Sequence, residues 1–513
     1  MGDLKSSARA GIRWSGIVAA ASGAVQVLRV FVLARFLLEP DDFGLMALAA
    51  AISYIASPLA DVGTLLALIH KQDASREEIS SLYWFNVILG LLLSLLLCML
   101  APYLAHALGE PRLTPVLRLA SLCFAIDGFG LMFLILLKRD LDFRRTSLIE
   151  TCALLAGTAV TLVLALRHGG VWSLVAGVVA VSIVRTALAI KYGIGQYRIA
   201  ARLRAGELKR FLSFGVFQMG QTAVVRVSER FDQVILGTLS GTTGLGLYSV
   251  AYNLASIPVV HVLPLLGLPA ASVLSRAQVQ SDIPRLARGY LLAVELMMSI
   301  NASISFGLLA IAPTLVPLVL GEKWLGIVPI LQCLCVVTIW YAFYSLSGAL
   351  VIATGASRIG FLWRLGLTSV LVAFGYLGAK MGGAVWLAGT IAVVLTLGLI
   401  PFYFLIARRL LGPCARGFAT AVGAPTAMAA IMAIVVIGAE SVLRPLPTVG
   451  VLVAQIALGA GLFASLLVLL RPSIAREMIL VVPYQRLTAG LLSLLAAVEK
   501  MRHQLIVKSA HFF

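Results

Sequence analysis

Residues 218–233 carry the densest chemistry in the chain. Gln218, Thr222, Arg226, Glu229 and Gln233 recur at steps of 4, 4, 3 and 4, which at about 100° per residue places them within roughly 80° of arc on a helix. Arg230 and Asp232 flank this stripe. Near the N-terminus Ser15, Ser22, Gln26 and Arg29 form a second stripe, within roughly 60° by the same geometry. A guanidinium group presents a planar fork of donors that matches phosphate or carboxylate. Arg29, Arg226 and Arg230, together with the amides of Gln26 and Gln218, are therefore the candidate anion-binding set. Asp61, Glu229 and Asp232 are the carboxylates placed to pair with those arginines or to take up a coupling ion. The plainer alternative is that Arg226 and Glu229, three apart on one face, pair only with each other.

Other chemistries lack their residues. There is no Walker loop, so ATP hydrolysis by this chain is not expected. The six cysteines form no CxxC pair and the six histidines are scattered, so neither a metal site nor a disulfide nor a cofactor is expected. No long loop carries paired carboxylates, and the chain reads as a transporter rather than an enzyme.

The elements that must hold these residues are membrane helices. Of 513 residues, 60% are apolar and 12% charged, against about 45–50% and about 25% in soluble domains, and the mean hydropathy is +1.01. That excludes a soluble enzyme, a disordered chain and a secreted disulfide scaffold. Long apolar runs between short polar breaks predict fourteen spans of about 20 residues each. Lipid leaves backbone polar groups to be satisfied within each segment, so the fold class is all-α integral membrane. The first apolar run, 11–38, is too long for a cleavable signal. Ionisable groups within such spans face a bundle interior or a water-filled cavity.

The net charge of +18 is distributed, not clustered as for nucleic acid, and no nucleic-acid partner is expected. The N-terminus, the even-numbered connections and the C-terminal tail hold 29 Lys and Arg, the odd-numbered connections five. This bias predicts that both termini are cytoplasmic. Arg364 and Arg185 read as interfacial anchors, and Asp127 and Glu295 as pathway or packing residues.

The chain also repeats. LLEPDDFGLMALA (37–49) aligns with LSGTTGLGLYSVA (239–251) at an offset of 202, so Gly44 falls on Gly246. Asp61 meets His261 at an offset of 200. LGEPRLTPVLRLASL (108–122) aligns with LGEKWLGIVPILQCL (320–334) at 212. The expected organisation is an N-terminal six-helix lobe (1–190), a basic cytoplasmic linker (191–210), a second six-helix lobe (211–406), helices 13 and 14 (407–470) and a cytoplasmic tail (471–513). An even number of spans per copy relates the lobes by a pseudo-two-fold axis along the membrane normal. In the tail, Leu487–Val498 is expected to lie as an amphipathic helix on the membrane surface.

The segments ARFLLEPDDFGLMALA (34–49), SERFDQVILGTLSGTTGLGLYSVAYNLASIP (228–258) and VLGEKWLGIVPILQCL (319–334) resemble, in order and spacing, the Wzx-type flippases of the multidrug/oligosaccharidyl-lipid/polysaccharide (MOP) exporter superfamily. The resemblance spans essentially the whole chain. It implies two six-helix lobes in a V plus two C-terminal helices in a bacterial inner membrane. It also implies alternating-access flipping of an undecaprenyl-diphosphate-linked oligosaccharide repeat unit to the periplasmic leaflet, for exopolysaccharide, lipopolysaccharide or capsule assembly. The implied partners are that lipid-linked oligosaccharide, membrane lipids, and polysaccharide polymerase and export machinery. Cationic lumens are a family theme, which suits Arg29, Arg226 and Arg230, but no residue-level substrate motif carries over. Two alternatives stay open. Ion-coupled multidrug antiporters of the same superfamily typically have twelve spans and acidic lumens. A membrane polysaccharide polymerase or ligase needs a large outer loop, which this chain lacks.

Overall fold

A computed structural model describes residues 23, 25, 26, 28–60, 75–140, 142–197, 199–200, 205–257, 259, 283–443 and 445–481. All regular structure among them is helical. The principal helices are α1 (Pro40–Ala56), α2 (Arg76–Ala107), α3 (Leu113–Arg139), α4 (Phe143–Leu166), α5 (Val171–Gly193), α6 (Ala205–Leu239) and α7 (Gly241–Ala255). They continue with α8 (Ile283–Val319), α9 (Ile327–Ala353), α10 (Ser357–Leu397), α11 (Ala415–Leu443), α12 (Thr448–Leu470) and α13 (Pro472–Val481).

Local chemistry sets several of the starts. Pro40 opens α1, where its missing N–H costs no hydrogen bond, and Asp42 accepts the Glu39 backbone N–H at 3.2 Å. At α2 the Ser75 hydroxyl accepts the Glu78 N–H at 3.2 Å while the Glu78 carboxylate accepts the Ser75 N–H at 2.9 Å. This reciprocal box satisfies two of the donors that a helix start leaves open.

Ten helices among the described residues are long and apolar enough to cross a membrane. One of them, Arg358–Leu411, has 54 residues, about 80 Å of helix against a hydrocarbon core of about 30 Å. It breaks at Gly382 and Gly383, which gives it length for two passes. The expected count of fourteen includes stretches outside the described residues, as do Asp61, His261 and Leu487–Val498.

The chain divides into two compact units. The first runs to Ala251 and takes in Arg364–Thr390; the second comprises Tyr252–Trp363 and the described residues from Ile391 onward. Within the first unit the start of α1 crosses the start of α7 at backbone contact. A Cβ on Gly44 would overlap the Thr242 carbonyl, and one on Gly246 would overlap the Pro40 carbonyl. Pro40 and Thr242 are separated by the same offset of 202 that separates the glycines, so the contact is self-complementary under the repeat. The other repeated turn agrees: Gly109 (φ 69°) and Gly321 (φ 99°) are both left-handed. A third pair escaped the motif reading. Gly170 (φ 51°, ψ −137°) and Gly383 (φ 64°, ψ −142°) share one unusual backbone state, and each precedes a tryptophan by two or three residues.

The second unit packs around aromatic rings. Phe402 stands 5.3 Å from Phe343, 5.7 Å from Trp363 and 6.3 Å from Phe418, centroid to centroid. Here Glu295 of α8 pairs with Arg471, just before α13, at 3.2 Å, which gives that half-buried carboxylate an ionic partner.

Candidate functional site

Helix α6 presents its charges to Tyr54 of α1. Cζ of Arg226 lies 4.1 Å and Cζ of Arg230 lies 5.1 Å from the Tyr54 ring centroid, inside the range of cation–π attraction. The Tyr54 hydroxyl accepts a hydrogen bond from Arg226 and donates one to Glu229 Oε2 at 2.7 Å. The direct separation of Arg226 and Glu229 is 3.8 Å, so their pairing runs largely through the tyrosine. From α10, Arg364 donates Nε and Nη2 to Ser228 Oγ at 3.1 and 2.9 Å and stands 3.8 Å from Glu229 Oε1. The Ser228 hydroxyl donates to the Val225 carbonyl at 2.7 Å, which turns its lone pairs toward Arg364. All these residues belong to the first unit.

Arg226 and Arg364 thus each stand 3.8 Å from the Glu229 carboxylate, and Arg230 lies over the same tyrosine ring. The side chains of Arg226, Arg364 and Glu229 are 35%, 36% and 40% exposed. In a membrane helix such exposure is tolerable beside a water-filled cavity and costly beside lipid. The Nε–H of Arg226 is buried and meets no acceptor among the described residues. Chemically the arrangement can bind a multiply charged anion and release a carboxylate in exchange.

The other candidates are placed as follows. Arg29 is half-buried and its Nε–H likewise meets no acceptor among the described residues, while Gln26 is exposed. Asp232 is buried, 3% exposed, accepting the Tyr248 hydroxyl at 2.6 Å and the Gln233 backbone N–H at 2.8 Å. Gln233, at the lower end of the stripe, is also buried. Asp61 and the side chain of Gln218 lie outside the described residues.

Sequence spacing does not single out Tyr54, Ser228 or Arg364. Arg364 carries a charge but its place near a span end reads as an anchor; Tyr54 sits in an apolar run and gives no periodic signal. Arg185 likewise pairs with Asp127 at 2.6 Å, supported by Ser182 at 3.3 Å.

At one connection of the same unit, Arg112 contacts Glu110 Oε1 at 2.7 Å and Oε2 at 3.1 Å, and Asp41 Oδ2 at 2.6 Å. Asp41 also accepts from Thr242, so the network sits over the α1–α7 glycine contact. The hydrogen bonds from Arg112 hold the Glu110 carboxyl below its ordinary range.

Known proteins share both the sequence and the fold. Lipopolysaccharide biosynthesis protein WzxC of Escherichia coli (strain K12) is 28% identical over 418 residues, covering 81% of this chain and 84% of its own length. Succinoglycan biosynthesis transport protein ExoT of Rhizobium meliloti (strain 1021) is 26% identical over 484 residues, 91% of this chain and 94% of its own. The solved structure of the lipid II flippase MurJ in an inward closed conformation superposes with a TM-score of 0.72 at 11% identity, over 88% of this chain and 97% of that one, a likeness of fold. The Wzx-type resemblance read from the motifs is borne out by these matches. Residues 32–329 match the family described as polysaccharide biosynthesis protein, and with more than half of its length inside that match, this membrane protein belongs to that family.

Proposed function

We propose that the protein flips an undecaprenyl-diphosphate-linked oligosaccharide across the bacterial inner membrane by alternating access. The observation that carries this reading is the gathering of Arg226, Arg230 and Arg364 around Tyr54 and the displaceable carboxylate of Glu229. A diphosphate–sugar head group cannot cross about 30 Å of hydrocarbon unaided. Arginines facing a cavity at membrane depth supply the bidentate donors that its phosphates require. The names of WzxC and ExoT and the flippase fold of MurJ support the same substrate class.

In this scheme Arg226 and Arg230, with Arg29 and Arg364, contact the diphosphate, and Gln26 and Gln218 contact the sugars. At rest the arginines borrow Glu229. Arriving phosphate competes for them, and the freed carboxylate takes up a proton or sodium ion, which links transport to an ion gradient. Asp61 and Asp232 are further coupling candidates. The reading includes two lobes, 1–190 and 211–406, with both termini cytoplasmic. It places polysaccharide polymerase and export machinery downstream. The self-complementary contact of Gly44 and Gly246 supports the duplication on which the lobes rest.

The test is replacement of the native gene by Arg226→Ala and Arg226→Lys variants. The alanine variant should insert at normal levels while lipid-linked repeat units accumulate on the inner leaflet. The lysine variant should recover only part of the export, because it keeps the charge and loses the fork. Full export by Arg29→Ala/Arg226→Ala at normal expression would remove these arginines from the mechanism.

A further inference from the structure

The second unit contains an apolar groove of about 620 Å³, open along one side. Its floor is a stripe on α11, Ala415, Ala419, Gly423 and Ala427, at four-residue steps. Trp340 of α9 lines it as well, and Tyr403 and Phe404, in the segment after α10, form a wall. Both threonines of the lining turn their hydroxyls away from the groove: Thr396 donates to the Ala392 carbonyl and Thr426 to the Val422 carbonyl, each at 2.7 Å. A nearly continuous hydrocarbon surface remains. The wall residues lie in a π turn, Tyr403–Ala407, a feature frequent at functional sites.

One end of the groove is basic. Arg408 follows Phe404 by one turn, Arg409 is next to it and Arg416 adjoins Ala415; all three are exposed. From Ala415 to Ala430 the floor runs about 22 Å along the helix. The groove therefore begins beside three arginines and reaches no further along α11 than Ala430, about half-way down that helix.

We propose that this groove binds one acyl chain of an anionic phospholipid, whose phosphate is held by Arg408, Arg409 and Arg416. Charge complementarity selects the head group, since basic residues between membrane helices on the cytoplasmic side collect anionic lipids. Size selects the chain. At about 30 Å³ per carbon, close to the share of a water molecule in the liquid, 620 Å³ holds roughly 20 carbons. That is one fatty-acyl chain, whereas the eleven five-carbon units of an undecaprenyl tail come to more than twice as much. Extent points the same way. A tail that travels with its head group between leaflets needs a path along both, while this groove starts at one basic end and stops at Ala430, half-way along α11. The lipid is a resident of the leaflet bordered by the 408–416 connection, and it braces the π turn against α11.

Native mass spectrometry of the delipidated full-length protein in detergent tests this, with dioleoyl phosphatidylglycerol as the probe and dioleoyl phosphatidylcholine as the neutral control. The wild type should retain one phosphatidylglycerol in preference to phosphatidylcholine. A Cβ at Gly423 meets no atom within 4 Å, so Gly423→Leu fills the groove without displacing protein. It should lower bound phosphatidylglycerol about ten-fold, the affinity carried by two buried methylenes. Arg408→Gln/Arg409→Gln/Arg416→Gln should bring phosphatidylglycerol down to the phosphatidylcholine level and leave the latter unchanged. No preference in the wild type, or equal retention by wild type and Gly423→Leu, overturns the proposal. Displacement of phosphatidylglycerol by added undecaprenyl phosphate overturns it too, by assigning the groove to a polyprenyl chain. Lipid retention is read without transport, so the outcome does not depend on the flipping reading.

Discussion

Tyr54 meets both signs of charge: its ring carries the guanidinium groups of Arg226 and Arg230, and its hydroxyl joins Arg226 to Glu229. The two contributions can be separated. Tyr54→Phe keeps the ring, worth about 0.5–2 kcal/mol to a cation, and deletes a hydrogen bond to charged groups worth about 1.5–3 kcal/mol. Translocation of lipid-linked oligosaccharide in reconstituted vesicles should fall by roughly ten- to a hundred-fold. A Tyr54→Phe rate equal to wild type would show that the bridge has no part in transport. Arg364→Gln should slow transport less, because Glu229 keeps Tyr54 and Arg226. The stripe on α6 was legible beforehand because helical period is written in sequence spacing. Its partners were not: a tyrosine in an apolar run looks like any other apolar residue, and an arginine near a span end looks like an anchor.

Helices α1 and α7 approach through Gly44 and Gly246, and neither position has room for a methyl group beside the opposing carbonyl. Gly44→Ala and Gly246→Ala should each destabilise the protein by about 1–3 kcal/mol, the usual cost of overpacking a fitted contact. They relieve one another's constraint once the helices have separated, so the double variant should cost less than the two single costs added together. Thermal unfolding in detergent measures all three. Strict additivity would mean that the glycines act independently and would count against the reciprocal contact. The repeat was visible as matching turn motifs, but alignment alone cannot reveal that two matched turns touch each other.

For the molecule as a whole, the Arg112 network ties the α2–α3 connection to the starts of α1 and α7 in the first unit. Arg112 lowers the Glu110 pKa in the folded state, so the linked stability is fully present above the unfolded carboxyl value of about 4.3. It is lost as pH falls through the depressed folded value. Melting temperatures recorded from neutral to strongly acidic pH should drop less in Arg112→Gln than in wild type over that interval; identical pH profiles would sink the assignment. The topology has its own check. Reporter fusions at Pro111 and Thr243 should read as periplasmic and one at Gly206 as cytoplasmic. A reversed reading at Gly206, in the most basic connection, would overturn the orientation drawn from the 29-to-5 charge bias.

What the sequence determined by itself is whatever is local or cumulative along the chain. Hydropathy sums to a membrane protein, backbone satisfaction in lipid makes the spans helical, basic residues accumulate in alternate connections, and a 3.6-residue period lines up Arg226 with Glu229. Tertiary structure decided the pairings. Tyr54 and Arg226 are 172 residues apart and Arg364 and Ser228 are 136 apart, and no spacing rule links positions that far separated. It also turned Asp232, two residues from Arg230, into the α6–α7 contact with Tyr248, and left Ala415, Ala419, Gly423 and Ala427 uncovered as the floor of a groove. Periodicity states which residues share a helix face. Only the packing of the neighbouring helices settles whether that face meets protein, water or lipid, because the cost of an exposed or buried charge is set by what lies opposite it in space.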